Sequence, residues 1–295
     1  QIFLEQQDGG TLVRITDEPD LAEWSVIPSK GGAWIYYVAG QEGKRVSPRT
    51  GVVETLVSFG PAEIREAGMV GAAMGTTALS ANGRYWAVPV KTGAVSRFWL
   101  IDTASGSAEV FLEAPTIGHP QFCPDDDDLI LYAGPMTDRV WVTDRSGNAR
   151  RILTREHDLQ WITHEVWRPG HRSVLFVDWP NGMGEIDVDS GTVRRVTGFP
   201  VWHGAPDATG GRLVCDTNFP DQGLHVLDLD GRAGAQFLHA PQASSQGAHW
   251  AHPFPYNNGP VKVHAPQHTH PHPRFSPDGR QVVFTSDRSG TAQVY

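Results

Sequence analysis

A short strand, a Pro-Asp-Gly-type turn and a strand rich in β-branched and aromatic residues recur along this chain of 295 residues. The clearest copy is HPHPRFSPDGRQVVFTSDRSGTAQVY at residues 270–295. Related copies begin at Gly118 (GHPQFCPDDDDLILYAG), Thr163 (THEVWRPGHRSVLFVDW), Trp202 (WHGAPDATGGRLVCDTN) and Thr76 (TTALSANGRYWAVPV). A diverged copy begins at Trp24 (WSVIPSKGGAWIYYVAG). Each is followed by alternating apolar residues around an Asp/Ser-Gly turn, the signature of a hairpin. His119 and His164 lie 45 residues apart, and His164 and His203 lie 39 apart. Four-stranded units of roughly 40–45 residues are the blades of a β-propeller. The 32 Gly and 22 Pro supply the turns that such a chain needs and leave little room for long helices.

Residues 1–295 therefore read as one all-β propeller domain. Six blade starts are legible, and residues 1–16 read as the outer strands of one more. The count favours seven blades over six. Residues 242–267 break the pattern with a Pro-, His- and aromatic-rich stretch, read as a long insertion loop near a functional site.

The remaining composition excludes several roles. A net charge of −9, with Lys and Arg dispersed, argues against nucleic acid and against a polybasic membrane anchor. No apolar run approaches the roughly 18 residues of a membrane span. Two cysteines make neither a disulfide framework nor a zinc motif. Histidine is the outlier: nine of the 13 follow residue 200, and six fall within 249–272.

Aligning the blades gives those histidines an order. Five residues before the turn positions Pro124, Pro169, Ala208 and Pro277 stand His119, His164, His203 and His272. In a propeller, equivalent positions of the innermost strands converge at one mouth of the central channel. His270 lies two residues before His272, on the same face of a strand by the period of two. His203, His270 and His272, with Gln267, would form a four-residue nitrogen and amide-oxygen site. Such a donor set suits Mn, Zn, Ni or Fe without choosing between them. His164, one blade away, is placed to face a metal-bound substrate. With an ordinary imidazole pKa of about 6.5 it can act as a base near neutrality. Arg139 follows the second strand of the His119 blade. It reads either as a carboxylate-binding guanidinium or as a solvent-exposed strand-entry residue like Arg97.

The run QHTHPHPRFSPDG, together with HEVWRP and GHPQF…DDDDLILY…GP…DRVW, resembles the oligogalacturonate lyases of polysaccharide lyase family 22. The likeness extends from about Ala22 to Tyr295. It implies a seven-bladed propeller and a manganese-type ion held by His203, Gln267, His270 and His272. It also implies His164 as the Brønsted base and Arg139 as the catalytic-site arginine. The implied reaction is β-elimination on short oligogalacturonides, small acidic fragments of pectin, in the cytoplasm. The Ser-Pro-Asp-Gly turns are shared with TolB-like propellers. A non-catalytic binding module is thus the competing reading, beside the same lyase chemistry on another uronide.

Overall fold

The computed structural model describes residues 1–5, 10–60, 76–92, 94–158, 160–217, 221–243 and 269–295. Most of the 242–267 loop, including Gln267, lies outside the described residues. Strands dominate, and the one helical element described is the three-residue 3-10 turn Glu23–Ser25. Among the described residues no helix is long and apolar enough to cross a membrane.

Five four-stranded antiparallel sheets follow one another along the described chain, each a simple meander. They cover residues 27–58, 78–114, 118–151, 161–197 and 201–239. These match the repeats that begin at Trp24, Thr76, Gly118, Thr163 and Trp202. Phe3–Leu4 pairs with Val13–Arg14 as the outer-strand fragment expected of residues 1–16. In the last repeat Arg274–Phe275 pairs with Val282–Val283, and Thr285–Ser286 pairs with Gln293–Val294. The Thr285 N–H donates to the Pro271 carbonyl, so these pieces form one three-stranded meander.

Burial explains the order within each sheet. The second strand Ser173–Trp179 (SVLFVDW) is buried along nearly its whole length, which is why it reads as a continuous apolar run. The fourth strands Ala149–Arg151 and Gln236–His239 are exposed throughout and polar or mixed in sequence. Each fully buried Val, Leu, Ile or Phe contributes about 1.5–3 kcal/mol relative to exposure. The second strands therefore anchor each blade, and the first strands present the candidate site.

The chain divides into two compact units, residues 1–135 with 140–151, and residues 136–139 with 152–295. The first holds an apolar cluster of Tyr36, Val38, Trp86, Val88 and Ile101, and another around Phe98, Phe122, Ile130 and Tyr132. In the second, Arg168 joins the 161–197 and 201–239 sheets. Its Nε donates to the Gly210 carbonyl at 2.8 Å, and its Nη2 to Asp230 at 2.6 Å. Gly210 is required there: it has φ +68°, and a Cβ would lie 2.1 Å from the Pro169 carbonyl oxygen. This joint ties together the two sheets that carry His164 and His203.

Candidate functional site

The register alignment of histidines has a backbone counterpart. His119, His164 and His272 all adopt left-handed φ values, of 47°, 49° and 44°. Non-glycine residues rarely do so, and such strain persists where the surroundings impose it. Strand register slips around each aligned inner position that lies in a sheet: between Gly118 and Gln121, Thr163 and Val166, and Val201 and Gly204. A bulge of this kind re-aims a side chain away from the pleat. The repeated feature is thus a bulged inner strand with histidine at the bulge.

Around His272 the structure departs from the expected His-x-His strand. Residues 270–273 are irregular, and the strand begins at Arg274. Pro271 and Pro273 have no N–H to donate to a ladder, and His272 is left-handed. The shared strand face therefore does not hold. The two rings still gather on His203, at centroid distances of 5.3 Å for His270 and 3.5 Å for His272.

His203 is the hub of this cluster. The buried carboxylate of Asp216, only 1 % exposed, accepts its backbone N–H at 2.7 Å and its Nδ1 at 2.9 Å. The same carboxylate accepts the His272 backbone N–H at 3.1 Å. Burial pushes the Asp216 carboxyl up to about 6, while His272, His270 and the two backbone N–H groups pull it back. His270 lies below the ordinary imidazole range because burial disfavours its cation, although Asp216 opposes this. His272 is held well below that range by dehydration and by the stacked His203. Both histidines are therefore neutral near pH 7 and carry a nitrogen lone pair.

His164 lies nearer to this cluster than a one-blade displacement suggests. Its ring centroid is 4.4 Å from His203, closer than His270 is. A different partner separates its role. His164 Nδ1 lies 2.5 Å from the Trp202 carbonyl oxygen, which only accepts, so Nδ1 carries the proton. Nε2 is then the basic nitrogen. The Trp202 indole stands edge to face with the imidazole at 4.6 Å and 85°, fixing its plane.

The two readings of Arg139 are also resolved in position. Arg139 is 3 % exposed and its Nε donates to Glu165 Oε1 at 2.6 Å, whereas Arg97 pairs with Glu113 at an exposed edge. Its Nη1 donates to the Met136 sulfur at 3.1 Å. Since Glu165 directly follows His164 on one strand, a single bulged segment supplies both the imidazole and the holder of the guanidinium.

The family profile described as oligogalacturonate lyase matches residues 86–295. The chain belongs to the oligogalacturonate lyase family. The oligogalacturonate lyase of Dickeya dadantii (strain 3937) is 28 % identical over 221 residues, 69 % of this chain and 55 % of that protein. The chain spans about half the length of the curated relatives it matches. A solved oligogalacturonate lyase in complex with manganese superposes with a TM-score of 0.78 at 20 % identity. That match covers 99 % of this chain and 81 % of the other. The Swd1 β-propeller domain of Myceliophteria thermophila matches at a TM-score of 0.58 and 12 % identity, over 92 % of this chain and 82 % of the other. The fold is accordingly a β-propeller.

Within this family member, His164, Arg139, His203, His270 and His272 fall in one unit, and all but Gln267 among the predicted site residues are described. The donor chemistry fits a divalent ion: the neutral imidazoles of His270 and His272 beside His203, whose Nδ1 is held by a carboxylate. Among the described residues, however, no three His, Cys, Asp or Glu side chains are arranged to hold an ion. The His203 and His272 rings are stacked, with planes 25° apart. Asp216 and Glu165 were not singled out in the sequence. A lone acidic residue in an apolar second strand (LVCDT) was the available signal for Asp216, because burial there demands donors.

Proposed function

We propose that this chain is a metal-dependent lyase that cleaves short oligogalacturonides by β-elimination. The observation that carries the reading is His164. Its Nδ1 is committed to the Trp202 carbonyl, and its ring sits against His203 of a three-histidine cluster. His203, His270, His272 and Gln267 would hold the ion, with manganese favoured by the family relative solved with it. An ion held there would supply positive charge to offset the negative charge that develops next to the uronate carboxylate on proton loss.

The chain's own residues do the rest. His164 Nε2 takes the C5 proton, which is acidic because it lies next to the carboxylate. The C5–H electron pair becomes the C4–C5 double bond. The C4–O bond breaks with its pair on the glycosidic oxygen, which then acquires a proton. Arg139, desolvated and oriented by Glu165, binds the carboxylate and the growing negative charge where water screens it little. We place the activity in the cytoplasm, as the final step on small acidic sugars.

Incubating the intact protein with digalacturonate and manganese should give an ultraviolet-absorbing unsaturated product that chelator suppresses. An inert protein under manganese would overturn the lyase reading in favour of a non-catalytic propeller. Product from another uronide alone would move the same chemistry to that sugar.

A further inference from the structure

Asp216 is the penultimate residue of the second strand Arg212–Thr217, between Cys215 and Thr217, both fully buried. A carboxylate in such a place is costly unless donors surround it. It has three, and all belong to the two histidine-bearing segments. Oδ1 accepts the His203 backbone N–H, while Oδ2 accepts His203 Nδ1 and the His272 backbone N–H. These segments are 69 residues apart in sequence (203 to 272) and belong to successive sheets. One side chain thus holds the backbone of both and the ring of one.

We infer that Asp216 is a positioning residue for the candidate metal centre: it fixes His203 as the Nδ1–H tautomer, leaving Nε2 to coordinate, and locks left-handed His272 beside it. A carboxylate has no proton to give Nδ1, so the ring must donate, and the lone pair is left on the other nitrogen. The His272 N–H bond acts on backbone strain, because a φ of 44° in a non-glycine residue lasts only where neighbours impose it. The two tasks thus meet on one residue, Asp216. This role rests on the reading of His203, His270 and His272 as metal ligands, but the tautomer it predicts exists without metal.

Asp216→Asn tests it with little change of shape. The amide oxygen can still accept the His203 N–H, but its NH2 then faces Nδ1 and favours the opposite tautomer. Nitrogen-15 NMR of the metal-free protein should show wild-type His203 protonated on Nδ1, and the variant protonated on Nε2. Titration with manganese chloride should show affinity falling about 10–100-fold in the variant. Wild-type His203 protonated on Nε2 would overturn the inference, as would unchanged manganese affinity in the variant. If the variant does not fold, the wild-type tautomer alone decides. If wild-type protein binds no manganese, the lyase reading fails, while the NMR measurement still judges Asp216.

Discussion

Arg139 and Glu165 form an ion pair of 2.6 Å with both side chains 3 % exposed. Removing one partner of such a pair leaves a bare charge in a site that excludes water, which typically costs about 3–5 kcal/mol. The pair therefore serves orientation as much as stability, since Glu165 holds Nε while Met136 takes Nη1. Glu165→Gln should lower the thermal midpoint clearly. In the protein that remains folded, it should raise KM for digalacturonate more than it lowers kcat. A variant with wild-type KM and stability would show that Arg139 needs no holder.

His164 is expected to be dispensable for metal and essential for turnover. His164→Ala should reduce the elimination rate by at least about 10²-fold, the lower end for a lost general base. Bound manganese, measured by elemental analysis, should stay at the wild-type level. Because its ring touches His203, loss of metal in this variant would recast His164 as a ligand.

His270→Ala should behave in the opposite way. It removes one neutral imidazole from the cluster around His203 and should lower manganese content before any effect on folding. A metal-replete His270→Ala protein would remove His270 from the ligand set.

Acid stability follows from the hairpin turns. Asp102 lies at about 2 through its bond from Arg84 and the Ser105 N–H. Asp144 is lowered chiefly by the Asn148 side chain, and Asp187 by the Ser190 N–H. Each folded carboxyl is more acidic than the unfolded one, near 3.9, so its contribution is complete above that value and disappears as pH falls through the folded value. Denaturant midpoints should hold steady just above pH 4 with respect to these groups and drop between about pH 4 and 2. A midpoint unchanged across that lower interval would show that the turn carboxylates carry no folding free energy.

Both cysteines are buried, and burial raises the Cys215 thiol, with the adjacent Asp216 charge adding to the effect. A protonated, inaccessible thiol is a poor nucleophile. Native protein should therefore consume no thiol reagent, and two equivalents should react after unfolding. Stoichiometric labelling of folded protein would contradict the packing around Asp216.

Much of the architecture is legible in the chain because it is written locally. Strand alternation and Asp/Ser-Gly turns act over a few residues, so the sheets begin where the Trp24, Thr76, Gly118, Thr163 and Trp202 repeats begin. The shared position of His119, His164, His203 and His272 is legible for the same reason, as one register in a repeated strand. The pairing of His270 with His272 on one strand face is not, since two prolines and a left-handed residue cancel the period of two.

Local patterning is enough to specify a repetitive all-β chain with histidines at equivalent inner positions, and the motifs specify the family. The partners of these histidines and of Arg139 come from chain folding over long separations. Glu165 is 26 residues from Arg139, the Trp202 carbonyl 38 from His164, and Asp216 56 from His272. Such partners are chosen by how neighbouring sheets pack and by the need to satisfy every buried charge, and no local pattern of side chains encodes that choice.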